Sequence, residues 1–468
     1  MAYRYGNREQ MQLLPSSIEE YIDKDDPVRA YNAFVDALDV AELGIDIDEN
    51  KVGNSSYDPS AMLKLLVYGY SYGWRSARKL ERALHHNVSF MWIVGGLKPD
   101  YKTIAEFRRK NKKVLRKVLK GCARLCIELD LIEGNTLFVD GTKIRANASI
   151  KNTWTKQRCK KTLAKIDRRI DDILTECERV DRREENQASL VHMKEELTNS
   201  KVLKTKVNEI LKDINNGDKK SVNTTDSECG RMNSVQGSHA GYNVQNVVDR
   251  KHGLIVTSDV TNENNDRKQF ANQINRANEV VAKKCKVACA DQGYGSTDEL
   301  EKIDKEEITV IVPPAKEREG KDQFTYNSKG DYYSCSEGNI LTYRTLSSDK
   351  RSKIYRMKGS SVCRTCKKFG KCTKAENGRT ISRLIKEDLK KRFERIYQSP
   401  ESQEIYKLRK QKVELPFGHI KRNLGVSAFH MKGLDGAKAE MSLLSSCFNI
   451  SRLLTMFGVQ GFIKKIVC

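Results

Sequence analysis

Apolar residues recur at helical spacing through the first third of the chain. Residues 1–55 mix turns with short helical runs. A clearer segment follows, in which Asp58-Pro59 opens a helix bearing Met62, Leu63, Leu65, Leu66 and Tyr68, and Gly73 ends it. Ser76 is expected to cap the run Ala77 to His85. Beyond Gly95-Gly96 another helix is expected near Thr103, because Thr103 and Glu106 have the spacing of a capping box. Helical periodicity continues from Lys112 to Leu131.

The texture then changes. Thr136 to Val139 reads as a strand, with Lys143 to Asn147 as its continuation or an exposed extension, and Tyr242–Val248, Leu254–Ser258, Val287–Ala290 and Thr309–Val312 read as further strands. A helix is predicted over Asn264–Lys283. Three strands, a helix and a strand ending in Asp is the order of a ribonuclease-H-like mixed sheet, which places the chain in the α/β class.

Two insertions interrupt this order. Between Lys151 and Thr225, Leu163, Ile166, Ile170, Ile173, Cys177 and Val180 alternate by three and four, and Met193, Leu197, Leu203, Val207, Ile210 and Ile214 repeat the stripe. Joined at Arg182–Gln187, the two halves predict a helical hairpin, an arm for DNA or a second subunit rather than for catalysis. The second insertion, about Lys316 to Arg379, holds four cysteines. Ser382 to Lys410 reads as a charged helical run, and Phe429 to Ile466 as a terminal apolar helical region. The expected division is 1–130 as a helical, DNA-binding domain, 131–150 with 226–315 as the sheet core of the catalytic domain, 151–225 as the hairpin, 316–380 as the Cys-rich insertion and 381–468 as the C-terminal helical part of the catalytic domain.

At 468 residues the chain exceeds one ordinary core. Its 85 Lys and Arg against 62 Asp and Glu leave a net charge of +23 spread along the whole length. A polyanion is the natural partner, since each phosphate neutralised releases condensed counterions. Arg78, Lys79, Arg82, Arg108, Arg109 and Lys110 then make the N-terminal helices read as a helix-turn-helix-like DNA-binding module, with an ordinary basic bundle as the alternative. No uninterrupted apolar stretch approaches the roughly 20 residues of a membrane span and no secretory h-region opens the chain, so a cytoplasmic protein without a membrane partner is expected.

Three acids carry the candidate chemistry. Asp140 closes Thr136-Leu-Phe-Val-Asp140, Asp291 closes Val287-Ala-Cys-Ala-Asp291, and Glu414 sits in Val413-Glu-Leu-Pro-Phe-Gly-His-Ile-Lys421. Aspartates at the ends of neighbouring strands can share a hard cation such as Mg2+, and a helical carboxylate can complete the site. Gly141, Gly293 and Gly295 suggest sharp turns that let DNA approach. Tyr406, Arg409 and Lys421 are candidates to contact phosphate, although Pro416 implies a break or kink nearby. Cys363-x-x-Cys366, Cys372 and upstream Cys335 are candidates for a structural Zn2+, against reduced or redox-active thiols. His239, His252 and His419 are accessory candidates.

The blocks Phe138-Val-Asp-Gly-Thr-Lys143, Asp291-Gln-Gly-Tyr294 and Tyr406-x-x-Arg409-x-x-x-x-Glu414-x-x-x-x-x-x-Lys421 resemble the DDE transposases of bacterial insertion sequences. Residues Tyr57 to Asn111 resemble the N-terminal domain of the insertion sequence eleven-eighty-two group, within the fourth and fifth insertion-sequence superfamily. That resemblance implies Asp140, Asp291 and Glu414 as catalytic ligands of two Mg2+ ions, replaceable by Mn2+. It also implies hydrolytic nicking and 3′-hydroxyl strand transfer on double-stranded DNA, both terminal inverted repeats and target, with a homodimer in the synaptic complex. One departure is visible: four residues separate Arg409 from Glu414, where the related signature usually has three. A regulator that kept the fold without the chemistry, and a nuclease without strand transfer, are the alternatives.

Overall fold

The computed structural model describes residues 17–38, 43–44, 57–183, 187–216, 221–234, 237–315 and 324–467. Helix α1 spans Pro27–Asp36. Helix α2, Pro59–Ser71, starts as its sequence dictates: the Asp58 carboxylate accepts from the Ser60 and Ala61 N–H groups at 2.9 and 3.1 Å, and Pro59 fills the first position, where no N–H is needed. Gly73 ends the helix region at φ +70°. Helix α3 spans Ala77–His86, but the Ser76 side chain makes no capping bond. Helix α4 (Val88–Ile93) precedes α5, Tyr101–Lys110, which begins before Thr103 because Asp100 is the cap, accepting from the Thr103 N–H at 2.7 Å. Glu106 is not part of a capping box; it binds Arg109 through two hydrogen bonds of 2.6 and 2.7 Å. Helices α6 (Lys112–Leu115) and α7 (Val118–Glu128) complete this stretch.

Strand β1 is one unbroken element, Thr136–Arg145. After β2 (Thr153–Thr155) the chain forms α8 (Lys156–Arg183) and α9 (Gln187–Asn216), and β3 (Ser221–Asn223) pairs antiparallel with β2 to close the base of this hairpin. Cys159, Ile166, Val207, Ile214 and Val222 form its buried seam, with Leu163, Ile170, Ile210, Leu211 and Trp154 packed alongside. Leu203, placed in the seam by periodicity, is instead exposed, while Leu211, outside the predicted stripe, packs against the seam. The side chains of Cys177 and Val180, and the residues 184–186 of the joining turn, lie outside the described residues. Strands β4 (Gly230–Ser234), β5 (Gly237–Asp249) and β6 (Ile255–Thr261) follow; β5 pairs antiparallel with β1, β4 and β6. Helix α10, Phe270–Val281, is shorter than the predicted Asn264–Lys283, since Asp266 is spent on side-chain bonds to Asn243 and Gln245 before the helix starts.

Further along, β7 (Val287–Cys289), α11 (Thr297–Asp304) and β8 (Thr309–Ile311) form a unit whose two strands pair in parallel. A separate antiparallel sheet is built from β9 (Phe324–Asn327), β10 (Tyr332–Cys335), β11 (Ile340–Leu346), β12 (Ser352–Met357) and β13 (Thr380–Leu384), in the order β13-β12-β11-β10-β9, with α12 (Ser360–Arg364) between the last two strands. Its core is Phe324, Tyr333, Leu341, Tyr355 and Ile381. The charged helical run expected over Ser382 to Lys410 begins as the end of β13 and continues as two helices, α13 (Glu387–Gln398) and α14 (Pro400–Gly418). Pro400 sits where a helix may start without its N–H, which separates the two. Pro416 does not break α14; the irregularity comes later, as a π-helical turn over His419–Asn423. Helix α15, Leu434–Val467, is interrupted at Gly458 (φ 66°, ψ 177°) and leaves Phe429–Gly433 outside it.

The chain is therefore mixed α/β, with antiparallel ladders and, among the described residues, the parallel pair β7–β8. It divides into two compact units: one holds the described residues up to Asp266, 273–285 and those from Lys410 onward, the other 267–272 and 286–409. Within the first, α15 packs on α1, α2, α6, α7 and β6, burying Met441, Leu443, Leu444, Phe448, Ile450 and Leu453. By length and composition α15 resembles a membrane span, but more than half of its most apolar window is buried inside the protein, as in a core helix.

Candidate active site

The first carboxylate owes its position to the strand that precedes it. Thr136 to Val139 are buried, so β1 is anchored, and Asp140 follows as a half-buried residue opposite Asn246 of β5. Residues paired in this register share a face, with Cβ atoms about 5 Å apart. Asn246 is 1% exposed; its Oδ1 accepts the Ser258 hydroxyl at 2.7 Å, while its Nδ2 has no partner among the described residues. Two residues along the same face, Thr142 accepts a hydrogen bond from Lys421 Nζ. Lys421 is exposed at its surface, yet burial by the surrounding protein holds its ammonium below the usual lysine range, and the charge of Asp140 opposes that shift. The other face of β1 is separate: Lys143 reaches Asp266 at 3.4 Å, and Asp266 also accepts from Asn243 and Gln245, each at 2.7 Å.

The second carboxylate is set by a turn. Asp291 caps a short 3-10 turn, Gln292–Tyr294, its Oδ1 accepting the Gly293 N–H at 2.8 Å. Tyr294 is buried against Phe270 with ring centroids 6.3 Å apart, which fixes the turn from below. Gly293 lies in this turn as expected, but the other two glycines need no special backbone freedom. Gly295 has φ −70°, open to any residue, and Gly141 lies inside β1 opposite Gln245. Just upstream, burial pushes the Cys289 thiol up to about 12, and the charge of Arg409 opposes it, so the Arg409 guanidinium lies beside the strand that leads to Asp291. Arg409 also stands over the Tyr406 ring at 5.5 Å, and Tyr406 meets Tyr397 edge-on at 5.3 Å. Tyr406 and Arg409 are thus packed together in the unit that contains Asp291.

Glu414 is exposed on α14 and lines a groove with Lys410, Gln411, Leu415, Gly418, His419, Arg422 and Asn423. It lies five positions after Arg409, so at about 100° per residue the two side chains diverge by about 140° around the helix. The π turn that follows, marked by the Leu424 N–H bonded to the His419 carbonyl at 3.0 Å, rotates Lys421 toward Thr142 and leaves Arg422 on the Glu414 groove. The His419 ring rests on Phe448 at 5.5 Å, and burial lowers its pKa. Burial likewise lowers His239, with Arg145 and Lys421 adding to the effect.

The N-terminal arginines divide. Arg109 is exposed and paired with Glu106, whose carboxyl it holds down to about 2. Arg108, expected to contact DNA, is 8% exposed and points inward, donating to the Arg75 carbonyl at 2.6 Å and to the Tyr70 hydroxyl at 3.4 Å. Its neighbour Arg75 bonds Glu440 at 2.7 Å and the Ala428 carbonyl at 2.8 Å, so these two arginines tie the N-terminal helices to α15. Periodicity placed Arg108 on the polar face because its partners are distant in sequence.

Asn246 was missed as a site residue, although it carried a signal. In Tyr242-Asn-Val-Gln-Asn-Val-Val248, Asn243 and Gln245 alternate with apolar residues, whereas Asn246 falls on the apolar phase. A buried amide there demands a polar neighbour. Among the described residues, no three or more His, Cys, Asp or Glu side chains stand grouped as a formed metal site. The donors that Asp140, Asp291 and Glu414 offer are nonetheless carboxylate oxygens, the chemistry that Mg2+ prefers.

Residues 16–110 match the family model described as Transposase domain (DUF772), and residues 217–450 match the one described as Transposase DDE domain. No curated protein and no solved structure matches the chain. Because the second match spans half of the sequence and the first covers the N-terminal helices, the chain belongs to the DDE transposases.

Proposed function

We propose that this transposase cuts and joins DNA strands at the ends of an insertion sequence of the eleven-eighty-two group, using Asp140, Asp291 and Glu414 as its catalytic carboxylates. The observation that carries the reading is the setting of Asp140: an acid held at the end of a buried strand segment, with Lys421 of the third motif brought to the same face. DDE transposases generally use divalent ions such as Mg2+, and Asp140, Asp291 and Glu414 would hold them here. Bound divalent ions would activate a hydroxyl nucleophile and stabilise the leaving 3′ oxygen.

The chain's own residues supply the rest. Lys421 offers positive charge to a phosphate beside Asp140, and Arg409, steadied by Tyr406, offers it beside Asp291. Asn246, opposite Asp140 in the ladder, would position that carboxylate through its Nδ2 amide. The partner is double-stranded DNA, terminal repeat and target, engaged by a homodimer during synapsis; Mn2+ is expected to replace Mg2+.

The test incubates purified protein and Mg2+ with linear DNA carrying the element ends, and separates nicked from joined products. Asp140→Ala, Asp291→Ala and Glu414→Ala are each expected to abolish both, and Asn246→Ala to slow cleavage at least tenfold with DNA affinity unchanged. An Asp291→Ala protein as active as wild type would refute the assignment. Binding without cleavage would mark a regulator, and cleavage without joining a nuclease.

A further inference from the structure

The antiparallel sheet β9–β13 contains a feature that DNA strand transfer does not use. Cys335 ends β10, Cys363 lies in α12, and Cys366 and Cys372 flank the loop that follows, yet all four border a single cavity. Its remaining wall is apolar in part, formed by Phe324, Met357 and Phe369. None of the four is in a disulfide. We propose that these four thiolates bind one zinc ion, which serves to fold the loop they enclose.

Four further observations support a thiolate site. The Lys368 backbone N–H points to Cys366 Sγ at 3.4 Å and the Arg379 N–H to Cys363 Sγ at 3.5 Å, the kind of bond that stabilises sulfur carrying negative charge. Gly378 adopts φ +80°, and a Cβ there would come within 3.4 Å of Cys363 Sγ, so the backbone wraps closely round that sulfur. Positive charge is present to balance the two net negative charges of a zinc tetrathiolate. Arg379 donates to the Cys372 carbonyl at 2.7 Å, and Lys368 lies on the cavity wall. Finally, among the described residues the core of this small sheet is five buried side chains, and below a modest core size a metal commonly supplies the missing stability.

The sulfurs border the cavity without meeting at ligand distance, so binding draws them together, with release of four thiol protons to solvent. The ion would then hold Lys367, Lys371 and the exposed Phe369 in a fixed basic loop.

Full-length protein purified without chelator or added metal should contain about one zinc per chain by elemental analysis. Cys363→Ser and Cys372→Ser should each lower that value to near zero. Should those variants fail to fold, cobalt exchanged into the wild-type protein decides: a tetrathiolate gives intense visible bands and sulfur-to-cobalt charge transfer. A folded wild-type protein with no zinc, and no charge-transfer band on cobalt addition, would overturn the proposal. Asp140→Ala should retain its zinc, so loss of strand transfer and loss of this site read out separately.

Discussion

Glu440 is the most exacting point in the first unit. Its carboxylate is 0% exposed; Oε1 accepts from Arg75 at 2.7 Å, and Oε2 accepts from the His430 and Met431 N–H groups at 2.8 and 3.0 Å. Replacing it by Ala leaves Arg75, itself 5% exposed, as a buried charge without its counterion, a loss of about 3–5 kcal/mol. The two N–H groups lose a charged acceptor as well, and each buried donor left unsatisfied costs about 1–3 kcal/mol. These terms overlap, so the expectation for Glu440→Ala is a loss of at least about 4 kcal/mol, much of the roughly 5–15 kcal/mol that stabilises a folded protein. Glu440→Gln keeps an acceptor and should lose clearly less.

The damage should also be directional. His430 and Met431 end a segment in which the Phe429 N–H bonds the Arg145 carbonyl at 2.8 Å, and Arg145 closes the strand that carries Asp140. Urea unfolding followed by circular dichroism gives the stability, and hydrogen exchange at residues 428–431 gives its location. An Ala variant within about 1 kcal/mol of wild type, or one whose exchange at 428–431 is unchanged, would refute the reasoning.

Two further outcomes follow from the geometry. Gly73 (φ +70°) would place a Cβ 2.8 Å from the Leu424 carbonyl oxygen, whereas Gly95 (φ +62°) faces nothing within 4 Å. Both Ala variants should lose about 1–2 kcal/mol for the left-handed backbone, and Gly73→Ala measurably more in thermal unfolding; equal losses would contradict the close approach. In the β9–β13 sheet, the hydroxyls of Tyr355 and Tyr326 with Lys353 hold the Asp331 carboxyl down to about 2, from 3.8. Its folded pKa is depressed, so its contribution is present above pH 3.8 and is lost as pH falls toward 2; Asp331→Asn should flatten that part of the acid unfolding curve, and an unchanged curve would exclude the effect.

Much of this was legible because it depends on neighbours in sequence. The Asp58-Pro59 start, the Gly73 stop, the hairpin seam around Ile166 and Val207, and the strand leading into Asp140 are local patterns of capping, backbone freedom and periodicity. The family followed from short motifs for the same reason. Other features had no local signal. Arg108 looked like a surface cation until Arg75, Tyr70 and, through Arg75, Glu440 enclosed it, and Pro416 looked like a break although its missing N–H is tolerated within α14 and the distortion falls on the π turn.

Charge balance and hydrophobic period were determined by the sequence alone, since each is a sum or a spacing. Which buried polar groups meet was decided by tertiary structure, because a desolvated amide, guanidinium or thiol must find its partner wherever the chain returns. Asn246 with Ser258, Lys421 on Thr142, Arg75 on Glu440 and Cys335 beside Cys363, Cys366 and Cys372 are all partnerships of that kind.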